Sequence, residues 1–395
     1  MAERTVVLGV TGSIAAYKAV DLASRLTQSG VVVHTVMTKS ATQLVGPATF
    51  RAITGRSVST EMFELTNPFA IEHVSLADAA DLMIVAPATA DVLAKMANGI
   101  ADDLLTCTLL ATRAPVLVAP AMHTAMWEHP ATRENVERLR ARGVALVGPA
   151  IGRLASGGTG VGRFAPVEDI VDEALRRLGR CGDLAGRRIV VTAGGTHEAI
   201  DPIRFLGNRS SGKMGYAIAE AARDRGADVI LVSGPAALRT PGGMSFVPVT
   251  TAAEMLNAVR DAVSSADVLV MAAAVADYTP AAPTAAKLKK TDPSLLLQLK
   301  RTADVLGSIG DVPVKVGFAA ETEDLIDNAR AKLRQKNLDL VVANLVGGAN
   351  APFGSDENEV ALVDANGAEE LPRAAKRAIA ERILDRVAAL LAKPR

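Results

Sequence analysis

His73, in "AIEHVSLADAADLMIVAP", stands just ahead of an apolar run with Glu72 as its one ionisable neighbour nearby. An imidazole there could serve as a base near neutral pH, or lie partly buried with its nitrogens bonded to backbone; sequence position does not choose between them. "PAMHTAMWEHP", residues 120–130, follows another apolar run and gathers the only Trp of the chain with two Met and two His. Behind the carboxyl end of a parallel strand such a segment lines a ligand crevice; the plainer alternative is a hydrophobic plug with Trp127 as packing. "APATADVLAKMANGIADDLL" starts from a similar strand end and puts Thr89 within reach of a bound anion.

The second half is richer in polar donors. "VTAGGTHEAIDPIRFLGNRSSGKMG", residues 191–215, offers a phosphate cradle at Gly194, Gly195 and Thr196. Asn208, Ser210, Ser211 and Lys213 are expected to converge at the next helix start, with Asp201 and Arg204 adding charge. In "MAAAVADYTP" small side chains would admit a nucleotide, and Asp277 could hold ribose hydroxyls or simply cap a turn. "KLKK", residues 287–290, reads as a solvated run or as a flap that brings cations to a triphosphate. Lys332 and Lys336 share one helical face; the alternative is a favourable placement of charge at a helix C-terminus.

These residues need elements to hold them. In the first half "TVVLGV", "VVVHTVM", "DLMIVAP", "APVLVAP" and "VALVGP" alternate with helical-period segments such as "IAAYKAVDLASRLTQSG", which closes on Gly30. From Gly148 to Pro166 the pattern fails, and the glycine-rich stretch reads as a functional flap rather than an element, ahead of a helix near Val167 to Gly179. After a short linker at Arg180 to Gly186 the alternation starts again with "RRIVVTAGG". Thr251 and Glu254 have capping-box spacing, Asn366-Gly367 marks a hairpin turn, and an amphipathic helix closes the chain. The expected architecture is α/β, with two Rossmann-like domains at 1–180 and 186–395, each a mostly parallel doubly wound sheet.

Composition agrees with that and removes other classes. With 49% hydrophobic but 3% aromatic residues, the interior is built from Val, Leu, Ile and Ala, as in strands covered on both faces. Lys plus Arg and Asp plus Glu are 43 each, so no net field draws the chain to nucleic acid or an anionic membrane. Cys107 and Cys181 alone make neither a disulfide framework nor a metal motif. Without a signal-like or membrane-spanning apolar stretch, the expectation is a soluble cytoplasmic protein.

"GSIAAYK", "MTKSA", the His73 segment, "PATADVLAKMANGIADDLL" and "PAMHTAMW" together resemble the flavin-dependent cysteine decarboxylases, and within them the decarboxylase half of the bifunctional coenzyme A enzymes, over residues 5–180. The resemblance implies FMN at a trimer contact, held by Ser13, Thr38, Ser40 and Thr89, with His73 as the active-site histidine. The implied reaction oxidises the substrate thiol to a thioaldehyde, which accepts the electrons released with carbon dioxide, and ends at 4'-phosphopantetheine. His123 stands where these enzymes usually have an Asn that bonds the substrate carboxylate, a role a His donor can also fill. Ser156 stands where they usually have a proton-donating Cys, so the return of the last proton needs another source.

"AGGT", "DPIR", "NRSSGKMG", "AAAVADY", "KLKK" and "GFAAET", in that order, are similar to phosphopantothenoylcysteine synthetase, the ligase half of the same enzymes, over residues 186–395. By that resemblance Ala272, Ala273, Asp277, Lys287, Ala303, Asp304, Phe318, Lys332 and Lys336 bind CTP. Asn208 assists an acyl cytidylate formed from 4'-phosphopantothenate, and cysteine displaces CMP to give 4'-phosphopantothenoylcysteine. Mg2+ would neutralise the triphosphate. The resemblance also implies trimeric decarboxylase and dimeric ligase contacts, hence a dodecamer. The rival expectation keeps the ligase and makes the first half a flavin-binding but non-catalytic regulatory domain; a general NAD enzyme is disfavoured by the lack of a dinucleotide fingerprint.

Overall fold

In the computed structural model, which describes residues 4–62, 72–179, 182–289, 295–346 and 354–392, the apolar runs become strands and the helical-period segments cover them. The chain divides into two compact units, Met1–Leu178 and Gly179–Arg395.

The first unit runs β1 (Thr5–Val10), α1 (Ala16–Gln28), β2 (Val32–Met37), α2 (Lys39–Thr42), α3 (Pro47–Thr54), β3 (Val58–Ser59), α4 (Glu72–Ala79), β4 (Leu82–Ala88) and α5 (Ala90–Asn98). It continues with α6 (Leu104–Ala111), β5 (Val116–Pro120), α7 (Thr124–Glu128), α8 (Pro130–Ala141), β6 (Ala145–Leu146), β7 (Ala150–Arg153), β8 (Thr159–Arg163) and α9 (Val167–Leu178). Six parallel strands lie in the order β3-β2-β1-β4-β5-β6. All seven residues of β4 are buried, as a strand covered on both faces requires. Strand order reverses between β1 and β4, so a crevice opens at their carboxyl ends, where Thr11 to Ser13 and Thr89 follow.

The glycine-rich stretch that promised no regular element is an antiparallel hairpin, β7 with β8. Its glycines serve close approach. A Cβ on Gly162, whose φ is +140°, would lie 2.2 Å from the Met122 carbonyl oxygen, and one on Gly160 would lie 2.3 Å from Thr124 Oγ1. β8 therefore presses on the loop that carries His123, and Met122 N–H donates to the Gly162 carbonyl at 3.0 Å.

The second unit runs β9 (Arg188–Ala193), β10 (Glu198–Ala199), β11 (Phe205–Leu206), α10 (Lys213–Asp224), β12 (Asp228–Ser233), β13 (Ser245–Pro248), α11 (Ala252–Val263) and β14 (Val268–Met271). It continues with β15 (Tyr278–Pro280), β16 (Leu299–Arg301), β17 (Val314–Glu321), α12 (Leu325–Gln335), β18 (Leu340–Leu345), β19 (Glu357–Asp364), β20 (Gly367–Ala375) and α13 (Lys376–Leu391). The main sheet has the order β13-β12-β9-β14-β17-β18-β19-β20, parallel up to β18 and antiparallel beyond it. Its reversal lies between β9 and β14, which opens a second crevice at Gly194 and Ala272.

Both halves of the Thr251–Glu254 capping box form, and α13 buries Ile379, Ile383, Leu384 and Val387. The hairpin turn sits one residue earlier than its Asn-Gly pair indicates. Gly367 already pairs with Asp364, leaving Ala365 and Asn366 in the loop, because the Asp364 carboxylate accepts the Asn366 N–H at 2.7 Å. No helix among the described residues is long and apolar enough to cross a membrane.

Candidate functional site

Two adjoining cavities, about 1220 Å³ and about 940 Å³, open at the crevice of the first unit and share Gly12, Thr89, Ala90 and Met126 in their walls. Gly12 has no room for a side chain: a Cβ would lie 2.4 Å from Ser40 Cβ. Thr38 and Ser40 line the first cavity, Ser13 the second, and Thr89 both. Local bonding fixes three of them. Thr38 caps α2 by accepting the Ala41 N–H at 3.3 Å, and Thr89 caps α5 by accepting the Val92 N–H at 3.3 Å. Ser13 Oγ donates to the Ala121 carbonyl at 3.1 Å. Lys95, also in the first wall, is held above the ordinary lysine range chiefly by its hydrogen bond to Asp102 at 3.1 Å, with Asp91 beside it.

His123 and Ser156 line the second cavity with Ser13 and Thr89. His123 caps α7, its Nδ1 accepting the Ala125 N–H at 3.2 Å. A nitrogen that accepts carries no hydrogen, so the neutral ring holds its hydrogen on Nε2, which remains a donor. Ser156 lies exposed at the tip of the β7–β8 hairpin, which is closed by Leu154 N–H to the Gly158 carbonyl at 2.8 Å. His73 is placed elsewhere. It sits half-buried on the first turn of α4 and lines neither cavity of this chain, while its neighbour Glu72 accepts a hydrogen bond from Ser59 Oγ. Cys107 lines neither cavity; burial, with Asp103 and Asp102 nearby, pushes its thiol up, and Sγ donates to the Ala101 carbonyl at 3.4 Å. Cys181 lies outside the described residues. Trp127 packs against the core, as the plainer reading had it.

In the second unit the loop after β14 is strapped to the loop after β9. Thr192 Oγ1 accepts the Ala273 N–H at 3.1 Å, Thr196 Oγ1 accepts the Ala276 N–H at 2.9 Å, and Ala274 N–H donates to the Gly194 carbonyl at 2.8 Å. Asn208 Nδ2 donates to the Val275 carbonyl at 2.9 Å. The Asp277 carbonyl accepts the Thr302 N–H at 3.0 Å, which draws Ala303 and Asp304 alongside. Asp304 is ion-paired with Lys336. Burial acts against its charge, yet the Lys336 bond and the Gly307 N–H hold its carboxyl below the usual range. Lys332 Nζ donates to the Phe318 carbonyl at 2.5 Å. Burial pulls the Lys332 ammonium below the ordinary lysine range, against the attraction of Glu321, Asp277 and Asp304. The structure thus gathers Asp277, Asp304, Phe318, Lys332 and Lys336, with Ala272 and Ala273 on the strapped loop.

Asp201 and Arg204 fasten a loop. The Asp201 carboxylate accepts the N–H groups of Ile203 at 2.9 Å, Arg204 at 2.7 Å and Leu288 at 3.2 Å, while Arg204 Nη2 donates to the Leu288 carbonyl at 2.5 Å. Burial alone would raise the Asp201 pKa, but these donors and the Arg204 charge bring it to about 2. Lys287 and Lys289, on either side of Leu288, are exposed, and Lys290 lies outside the described residues. Lys213 pairs with Asp356 at 2.6 Å. Among the described residues no three of His, Cys, Asp and Glu are grouped to hold a metal ion.

Sequence reasoning missed the buried Thr11 and Thr192, and read the buried Thr196 as a phosphate donor rather than as a strap between loops. Thr11 Oγ1 donates to the Pro87 carbonyl at 2.6 Å and accepts the Thr89 N–H at 3.2 Å, joining the two loops of the crevice; Thr192 and Thr196 do the same in the second unit. Their position at or just past a strand end was the available signal.

Residues 1–179 match the protein family described as Flavoprotein, and residues 184–391 match the DNA/pantothenate metabolism flavoprotein C-terminal domain. The chain is 48% identical over 394 residues to the coenzyme A biosynthesis bifunctional protein CoaBC of Bacillus subtilis (strain 168), covering 98% of this chain and 97% of that protein. It is 47% identical over 409 residues to the protein of the same name from Mycobacterium tuberculosis (strain ATCC 25618 / H37Rv), again covering 98% and 97%. Among solved structures, the C-terminal domain of a CoaBC is 40% identical, covering 53% of this chain and 98% of its own, with a TM-score of 0.46.

Proposed function

The chain belongs to the family of bifunctional coenzyme A biosynthesis proteins, and from that premise we propose how its two units divide the work. It is an enzyme with decarboxylase and phosphopantothenate–cysteine ligase activities, the first carried by the flavoprotein unit. The ligase unit makes 4'-phosphopantothenoylcysteine and the flavoprotein unit decarboxylates it. The observation that carries this division is that each unit has its own crevice at a strand-order reversal, one walled by Ser13, Thr89, His123 and Ser156, the other built around Asp277, Asp304, Lys332 and Lys336.

The first crevice fits FMN. Gly12 leaves the turn after β1 bare, Thr38, Ser40 and Thr89 present hydroxyls, and the paired cavities have room for cofactor and substrate side by side. FMN, when bound, takes up two electrons from the carbon–sulfur end of the substrate and later returns them. The chain's own residues do the rest. His123 Nε2–H donates to the substrate carboxylate until carbon dioxide leaves, fixing the bond to be broken. The hairpin tip covers the reacting carbons, and the exposed Ser156 hydroxyl relays the final proton from solvent, since it is too weak an acid to supply one itself. Ile14 and Tyr17, 65% and 62% exposed beside Ser13, suit a crevice completed by neighbouring copies, with trimeric contacts here, dimeric ligase contacts, and His73 serving a neighbour's site.

In the second crevice CTP activates the carboxylate of 4'-phosphopantothenate as an acyl cytidylate, with loss of pyrophosphate, and the cysteine amine then displaces CMP. Ala272 and Ala273 admit the nucleotide, Asp277 holds ribose hydroxyls, and Asn208 lies beside that loop to assist the acyl group. Lys332 and Lys336, with Lys287 from the fastened loop, share the triphosphate charge. Binding opens the Lys336–Asp304 pair and gives the half-buried Lys332 a closer anion than Glu321, Asp277 and Asp304 provide. Mg2+ would be held mainly by triphosphate oxygens and water, neutralising the leaving pyrophosphate.

The test is a turnover assay with 4'-phosphopantothenate, cysteine, CTP and Mg2+ that resolves both products by mass. Protein that stays colourless after reconstitution with FMN, or releases no pyrophosphate with any nucleotide, overturns the reading.

A further inference from the structure

We propose that Lys18, Arg153 and Arg163 form the phosphate-recognising end of the decarboxylase cavity and bind the phosphomonoester of the substrate, a proposal that rests on the decarboxylase reading of the first unit. The two cavities differ in the charge of their walls. The first contains four carboxylates, from Glu61, Asp91, Asp102 and Asp103; the second contains none and three cations, from Lys18, Arg153 and Arg163.

Those three cations have no ion-pair partner among the described residues. The Lys18 ammonium lies 5.9 Å from the centre of the Tyr17 ring, a contact that leaves its three N–H bonds for an acceptor. Arg153 ends β7 and Arg163 ends β8, so both stand on the hairpin whose tip is Ser156. Arg163 is laid across β7: a Cβ on Gly152 would meet its Nη1 at 2.9 Å. Lys18 and Arg163 also wall a smaller cavity of about 490 Å³, whose two carboxylates, Asp21 and Glu168, are both paired with Arg25, so they stand on the partition between two openings.

Three cations without carboxylate partners on one cavity wall favour an anion there, and a phosphomonoester dianion supplies two charges and several acceptor oxygens. The cofactor's phosphate has the same chemistry. The substrate is favoured because the hairpin that covers its reacting end also carries two of the three cations, so one molecule spans from Ser156 to Arg163.

The experiment compares 4'-phosphopantothenoylcysteine with pantothenoylcysteine, which lacks the phosphate, on the flavin-loaded enzyme and on Lys18→Met, Arg153→Met and Arg163→Met. The readout is the ratio of kcat/KM for the two substrates, which does not depend on how much of a variant is folded. Fluorescence titrations with FMN and riboflavin run in parallel. The wild-type ratio is expected to exceed roughly 100, and each Met variant to lower it about tenfold through KM. A ratio that the variants leave unchanged overturns the proposal. So does a loss of FMN affinity with riboflavin affinity intact, which assigns the cations to the cofactor. If the wild-type enzyme releases carbon dioxide from neither substrate, the decarboxylase reading fails and takes the proposal with it.

Discussion

A single hydroxyl can hold a crevice together when it bonds in two directions, and Thr11 does so between the first turn and Thr89. Thr11→Val leaves a buried carbonyl and a buried amide without partners, which costs about 1–3 kcal/mol. Flavin affinity, measured by fluorescence quenching, is expected to fall at least fivefold, with Thr11→Ser restoring most of it. Why this residue escaped the sequence is physical: a buried threonine at a strand end satisfies β-propensity and packing equally well, and only the loop that folds over it reveals the bond. Thr89 and His123 could be picked out because polar side chains behind apolar runs have few other places to go, whereas Ser13, Thr38, Ser40 and Ser156 came only from the family resemblance. His73 could not be placed, since a helix turn decides which way an imidazole faces.

At the level of elements, periodicity marked most strands and helices, but not the β7–β8 hairpin, whose glycines answer to what packs against them rather than to their own propensity. Gly162→Ala puts a methyl group into the Met122 carbonyl at a φ that side chains avoid. The hairpin is expected to lift from the His123 loop, lowering decarboxylation at least tenfold while the protein keeps its yellow colour; a full rate from this variant would show that the hairpin does not cover the substrate. The Asp201 clamp gives a pH-dependent counterpart in the second unit. Its carboxyl is lowered from 3.8 to about 2 on folding, so its stabilisation is complete above the unfolded value and disappears as pH falls from 3.8 to about 2. Asp201→Asn should therefore unfold at lower urea concentration at pH 6 and lose less stability than wild type between pH 4 and 2, as followed by circular dichroism. That prediction was beyond the sequence, where Asp201 looked like a ligand charge rather than an anchor for Leu288.

For the whole molecule, the two starts of the chain correspond to two sheets with separate cores, and each should answer to its own ligand. Calorimetry is expected to show two transitions, FMN raising one and CTP with Mg2+ the other, each by the mass-action amount set by its dissociation constant. A single transition moved equally by both ligands would contradict this. The margins of the larger sheet carry a further consequence. At one side β20 displays Glu369, Glu370 and Arg373 and is interrupted by Pro372; at the other, β13 is four residues long and ends in Pro248. A strand from another molecule finds no continuous row of amides to zip onto at either border. Concentrated protein should therefore resist the cross-β stacking by which open sheets grow into fibrils.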